Sequence, residues 1–224
     1  MRHIDAVLFD LDGTLLDTAP DLAYALNQLR QTYRLSELPL SSIRSTISFG
    51  AAAILKNGFD IEENHPDFIP LKEKYLALYE QHLTDSTRFF PNIEKVLLHL
   101  EQHDIPWGIV TNRMTKHTMA LLKAFGFEHR PNCIICGDTL KKNKPHPEPI
   151  LEGCRLVKQL PHRTIYIGDA ATDVAASKAA GTKSLVALYG YIGSHENPES
   201  WQADGYINEP IEIIEWLEQY PSRG

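Results

Sequence analysis

Two carboxylates two residues apart, Asp10 and Asp12, follow the apolar run Ala6 to Phe9 and stand immediately before Gly13. Side chains at i and i+2 of an extended segment point to the same side, and Gly13 lets the chain turn straight afterwards. Such a pair can divide labour. Asp10, held ionised by a metal ion and a lysine, can attack phosphorus and form an acyl phosphate. Asp12 can protonate the leaving oxygen and later take a proton from the water that cleaves the intermediate. A second reading of Asp10 to Thr14 is a Ca²⁺ loop or a plain turn. A Ca²⁺ loop needs further acidic ligands and a Glu at fixed later positions, and Leu15, Leu16 and Ala19 do not supply them.

Partners for that pair lie far along the chain. Gly168-Asp169-Ala170-Ala171-Thr172-Asp173 follows an apolar run and opens a helical pattern, which sets two carboxylates one turn apart. Mg²⁺ takes octahedral oxygen ligation from one or two carboxylates, waters and substrate phosphate, and Asp10 with Asp169 fits that demand. Asp169 can equally serve as a helix N-cap, and the two roles are compatible. Asp173 is expected behind the metal ligands, orienting a metal-bound water or Lys144. Lys144 sits in Asn143-Lys144-Pro145-His146-Pro147, where two prolines keep the chain out of helix and strand and let one ammonium reach the charge that develops on a phosphoryl group. Thr111 offers a hydroxyl and a backbone N–H and Asn112 an amide, which can hold phosphate oxygens or merely close a turn.

These groups need a frame that brings them together. Apolar runs at Ala6 to Phe9, Trp107 to Val110, Cys133 to Cys136, Ile165 to Ile167 and Ser184 to Leu188 read as strands buried on both faces, with helical patterns between them at 93–103, 115–125, 147–159 and 170–180. That alternation predicts an α/β fold: a Rossmann-like, doubly wound parallel sheet. Asp10, Thr111 with Asn112, Gly137 with Asp138, and Gly168 with Asp169 all fall just past strand ends, where ligands bind in open parallel sheets. The first two strands are about a hundred residues apart, far more than a crossover needs. Leu22, Leu26 and Leu29, then Leu71, Tyr75, Leu78 and Leu83, space as helix faces within that gap. Residues 17–84 are therefore expected to form an inserted all-helical cap domain, and 1–16 with 85–224 the core.

The 224 residues suffice for a real core, and a net charge of −7 disfavours a nucleic-acid backbone while leaving room for a local cluster of donors around a small anion. No stretch reaches the ~20 apolar residues of a membrane helix, and Asp5, Asp10 and Asp12 interrupt any leader. Three cysteines fit a reducing, cytoplasmic setting; Cys133 and Cys136 have CxxC spacing, but in a strand they face opposite ways. His99 and His103 lie one turn apart on a helix with no third ligand in sight. Trp201 and Trp216 read as packing residues, since no basic groove accompanies them. Oligomeric state is not legible.

Taken in order, Phe9-Asp10-Leu11-Asp12-Gly13-Thr14, Thr111-Asn112, Lys144-Pro145-His146-Pro147 and Gly168-Asp169-x-x-x-Asp173 resemble the haloacid dehalogenase superfamily of phosphohydrolases. The resemblance spans essentially the whole chain. It implies Mg²⁺, an Asp10 nucleophile, Asp12 as acid and base with its main-chain carbonyl on the metal, and a small phosphorylated metabolite as substrate. Leu15 to Leu22 and Ala187 to Tyr191 are similar to the phosphoglycolate phosphatase branch, including relatives that act on N-acetylmuramic acid 6-phosphate. A cap loop that is commonly Gly-x-Gly there reads Ser48-Phe49-Gly50-Ala51 here. A phosphomutase shares the core motifs but carries a His near the cap entry, where this chain has Asp21-Leu22-Ala23-Tyr24. A non-catalytic binding protein would have lost a charged motif member, and none is lost. Specificity is expected in the cap, from Arg44, Ser48, Phe49 and Gly50; Arg44 suits a substrate carboxylate or is simply a solvent-facing helix residue.

Overall fold

Residues 4–219 are described by a computed structural model. In chain order its strands are β1 (Ala6–Phe9), β2 (Leu16–Asp17), β3 (Arg88–Phe89), β4 (Trp107–Val110), β5 (Cys133–Ile135), β6 (Thr164–Gly168), β7 (Lys183–Ala187) and β8 (Gly205–Ile207). The α-helices are α1 (Ala19–Thr32), α2 (Leu40–Arg44), α3 (Gly50–Phe59), α4 (Phe68–Gln81), α5 (Ile93–Gln102), α6 (Thr115–Ala124), α7 (Glu148–Leu156), α8 (Ala171–Ala180) and α9 (Glu212–Glu218).

Six strands form one parallel sheet in the order β5-β4-β1-β6-β7-β8. The chain starts at the centre, winds outward to one edge, then returns and winds to the other, which is the doubly wound order with its switch point beside β1. The two-residue period of each strand sends alternate side chains to two layers. Val7, Phe9, Trp107, Ile109, Ile165 and Ile167 pack on one face with Val96, Leu100, Leu121 and Ile213 of α5, α6 and α9. Ala6, Leu8, Val110, Ile135 and Tyr166 pack on the other with Ile150, Cys154 and Ala176 of α7 and α8. Cys133, Cys136 and Cys154 are free, buried thiols in or beside this second layer.

The expected strands are all present, with ends shifted by one residue where β5 stops at Ile135, where β6 extends to Thr164 and Gly168, and where β7 runs from Lys183 to Ala187. β8, α9 and the two-residue strands β2 and β3 were not anticipated. β2 and β3 pair antiparallel, Leu16 with Phe89 and Asp17 with Arg88, where the chain leaves the sheet and where it returns. Between those crossings, α1 to α4 pack against one another as an all-helical cap. Leu22, Leu26 and Leu29 are buried as their spacing implies, and so are Leu71, Tyr75 and Leu83, with Leu78 half-buried.

Asp21 ties the two crossings together. It is 2 % exposed and accepts hydrogen bonds from the Ser86 and Thr87 backbone N–H groups (2.8 Å each) and from the Thr87 hydroxyl (2.7 Å). Asp21→Ala strands those donors in a dry site, so it is expected to lower stability by roughly 2–4 kcal/mol in urea unfolding. A change under about 0.5 kcal/mol would show the bonds to be dispensable. Among the described residues no helix is long and apolar enough to cross a membrane.

Candidate active site

The carboxyl ends of β1, β4 and β6 converge at the switch point. Asp10 extends β1, its N–H donating to the Ile167 carbonyl of β6 (2.8 Å), and Thr111 extends β4, its N–H donating to Ile135 (2.9 Å). Asp169 follows β6 directly. One oxygen each of Asp10, Asp169 and Asp173 can be chosen so that all three lie within 4.8 Å of one another.

Lys144 is the counter-charge at the base of this cluster. Only 5 % exposed, it donates to Asp10 Oδ1 (2.9 Å), Asp173 Oδ1 (2.8 Å) and the Tyr166 hydroxyl (2.8 Å), which uses all three ammonium protons. Burial works against its charge, but the two carboxylates outweigh it and hold the lysine protonated. Asp173 also accepts from the Ala170 N–H (3.0 Å), so it closes the start of α8 while positioning Lys144. The residue at the N-cap position is Ala170, and Asp169 makes no cap hydrogen bond.

Asp10 takes both Lys144 and the Leu11 N–H (2.8 Å) on Oδ1, which leaves Oδ2 to react. Burial pushes its carboxyl up to about 7, with Asp173 and Asp12 adding to the rise and Lys144 opposing it. Asp169, 1 % exposed, is raised well above the ordinary carboxylate range, first by burial and then by Asp173 and Asp10. Its Oδ2 accepts from the Tyr191 N–H (2.7 Å) and the cap hydroxyl of Ser48 (3.2 Å), whereas its Oδ1 is buried with no hydrogen-bond partner. An orphaned, buried carboxylate oxygen beside two more carboxylates is what a divalent cation relieves, and an all-oxygen donor set suits Mg²⁺. The residues fit that ion.

Gly13 makes the close packing possible. Its φ of +78° is left-handed, and a Cβ there would lie 2.1 Å from Asp169 Oδ2. Gly190 presses on the other side, where a Cβ would lie 2.3 Å from Asp169 Cβ.

Asp12 lies apart from Lys144 in a clasp the sequence reading missed. Arg113 grips it from the side, Nε to Oδ2 (2.8 Å) and Nη2 to Oδ1 (2.6 Å), and the Thr18 hydroxyl adds a bond to Oδ1 (2.5 Å). Burial tends to raise this carboxyl, but Arg113 and Thr18 hold it below the usual range. Arg113 also donates to the Tyr79 hydroxyl of α4 (2.8 Å) and lies against its ring. The signal was available, since Arg113 directly follows Thr111-Asn112. Tyr191 was less visible: it accepts from the Thr18 and Ala19 N–H groups and donates to Asp17, joining the Asp169 loop to the cap entry.

A cavity of about 220 Å³ opens over Asp10 and Asp12. Thr111, Asn112, Arg113, Ser48, Phe49 and Gly50 line it, with Leu22, Ile47, Ile54, Tyr75, Tyr79, Met114 and His117. The Asn112 amide braces the Lys144 loop, its carbonyl oxygen accepting from the Lys144 N–H (3.0 Å) and one of its two N–H groups donating to the Lys144 carbonyl (2.9 Å), while the residue also lines the cavity. Two expectations are corrected by this geometry. Asp138 caps α6 through Thr115 and does not reach the site. Arg44 bonds Asp17 (2.5 Å), lies over the Tyr191 ring and does not line the cavity.

The sequence model of the haloacid dehalogenase-like hydrolases matches residues 7–187. The chain belongs to that family. Among its curated relatives, an N-acetylmuramic acid 6-phosphate phosphatase of Pseudomonas aeruginosa is 33% identical over 97% of this chain and 96% of its own length. A phosphoglycolate phosphatase of Xanthomonas campestris is 37% identical over 96% and 97%. Among solved structures, one described as a predicted phosphoglycolate phosphatase from Haemophilus somnus has a TM-score of 0.85 at 26% identity, covering 95% of this chain and 97% of that one. Within this hydrolase, then, the cluster at the strand ends coincides with the four motif segments that carry the family resemblance.

Proposed function

We propose that this hydrolase is a Mg²⁺-dependent phosphatase acting on a small phosphorylated metabolite, through an aspartyl-phosphate on Asp10. The observation that carries the reading is Asp10 with Oδ2 unengaged at the mouth of the cavity, its other oxygen fixed by Lys144, beside the orphaned oxygen of Asp169. Asp10, Asp169 and the Asp12 carbonyl would hold Mg²⁺, which when bound screens the repulsion between carboxylate and phosphate. Lys144 favours the ionised form of Asp10 against the effect of burial and sets a fixed positive charge beneath the reacting phosphoryl group. Asp173 and Tyr166 fix Lys144 in turn. The Thr111 hydroxyl, which accepts from the Arg113 N–H (3.1 Å), has its own proton to give a phosphate oxygen. Asp10 Oδ2 attacks phosphorus in line, the ester P–O bond breaks, and Asp12, after taking a proton from solvent, passes it to the leaving oxygen. Asp12 then accepts a proton from the water that hydrolyses the acyl phosphate.

The cap is taken to run from 17 to 84, its Ser48, Phe49 and Gly50 covering the leaving group while the site excludes water. The substrate favoured first is 2-phosphoglycolate. N-acetylmuramic acid 6-phosphate is the second reading, supported by the breadth of the apolar wall formed by Leu22, Ile47, Phe49, Ile54, Tyr75 and Met114. Buried free thiols fit a cytoplasmic setting.

Phosphate release over a panel containing both compounds and simple sugar phosphates, with Mg²⁺ and with chelator, tests the reading. Turnover should appear with Mg²⁺ and vanish on chelation; undiminished activity in chelator sinks the metal role. Stability supplies a second measure. The folded chain keeps the Asp10 proton up to about pH 7, whereas an ordinary Asp loses it near 3.8. Between those values the folded state binds more protons, so the metal-free melting temperature should fall as pH rises across that window. Added Mg²⁺ should raise it most at the alkaline end.

A further inference from the structure

A second negative charge on the substrate, beyond the phosphate, has few cations to meet. Lys144 has all three protons engaged below Asp10. Arg44 is bound to Asp17 and does not line the cavity. Lys116 reaches outward to Glu80, its side chain 73% exposed. Arg113 is the single Arg or Lys among the described residues that line the cavity. Its side chain is 9% exposed, and three of its five N–H groups are engaged, two by Asp12 and one by Tyr79. Two N–H groups remain, on a guanidinium whose other edge holds the acid and base of the reaction.

That position defines a distance. Asp12 must reach the ester oxygen, so a group on Arg113 beside it lies within one or two carbons of that oxygen. A carboxylate attached to the ester-bearing carbon has the reach, the charge and the planar shape to take the remaining N–H groups. The cavity wall around Arg113 is largely apolar, with Leu22, Ile47, Ile54 and Tyr75 buried in it. A neutral leaving group would leave those donors buried without partners, which discriminates against it strongly.

We propose that Arg113 recognises a carboxylate on the leaving group, so that the enzyme selects 2-phospho acids over their neutral isosteres. The proposal rests on the phosphatase reading and adds to it the residue that reads the substrate class. It also replaces Arg44, the residue the sequence suggested for this task.

The test compares kcat/KM for 2-phosphoglycolate and 2-hydroxyethyl phosphate, which differ by a carboxylate against a CH₂OH, in the wild type, Arg113→Gln and Arg113→Lys. The wild type should favour the acid by roughly 10- to 100-fold, the size of one charge-assisted recognition. In Arg113→Gln the preference should shrink to within about threefold, and Arg113→Lys should restore part of it. Because Arg113 also grips Asp12, activity on both esters will drop in the variants; the ratio isolates carboxylate recognition from that loss. Equal losses on both esters, with the wild-type ratio retained, overturn the proposal, as does a wild type with no preference, a result that needs no variant to fold. Failure to release phosphate from any ester overturns the phosphatase reading itself, whereas good turnover of the neutral ester overturns only the role of Arg113.

Discussion

Asp10→Asn should abolish phosphate release, with a fall of about 10⁴-fold or more in kcat, as removal of a nucleophile does. The amide keeps the shape of the carboxyl group but cannot attack phosphorus or carry a metal's charge. Folding should survive the change, because it removes one negative charge from a cluster in which burial already raises Asp10 and Asp169. The variant should therefore melt at or above the wild-type temperature without metal while showing no turnover with Mg²⁺. Near-normal turnover in the folded variant would displace Asp10 as nucleophile and leave Asp169, its raised neighbour, as the group to examine.

Lys144→Met is expected to cost both activity and stability. Methionine fills much of the space but removes the ammonium that bridges Asp10 and Asp173, which sit 2.9 and 2.8 Å from it. Removing one partner of a buried ion pair destabilises by about 3–5 kcal/mol. Turnover should fall by about 10³-fold, the scale seen when a fixed charge facing a transition state is lost. Adding Asp173→Asn should recover part of the stability, since the amide no longer needs a cation, yet none of the rate. Urea unfolding and initial rates on the single and double variants measure the two effects separately. A Lys144→Met protein as stable as the wild type would show the carboxylates to be neutral in the folded chain.

The sheet was legible because parallel strands covered on both faces are short continuous apolar runs, and the motif residues were legible because they stand just past the ends of those runs. Asp10, Asp12, Thr111, Lys144 and Asp169 owe their places to strand ends and a proline-bound loop, which are local features. What escaped depends on pairings far apart in sequence. β2 and β3 are two residues each, too short for any periodicity, and exist only because residues 16–17 and 88–89 meet. The roles of Arg113, Asn112 and Arg44 turn on which of several possible partners each side chain reaches. A sequence gives the donors of an arginine but not the carboxylate that will take them, so Arg44 looked suited to substrate and Arg113 went unnoticed.

The paired crossings at Leu16–Asp17 and Arg88–Phe89 have a kinematic consequence. A rigid body held at one point can turn about three axes. Held at two neighbouring points, it keeps one easy rotation, about the line that joins them. The chain enters and leaves helices α1 to α4 at two such points, stitched by the Asp21 bonds and by Tyr191 on the near side. The cap closure proposed above would then be a single swing that remakes the Tyr79–Arg113 and Ser48–Asp169 hydrogen bonds, returning Ser48, Phe49 and Tyr79 to one register over Asp10. Aim would be set by the pivot rather than found again in every turnover.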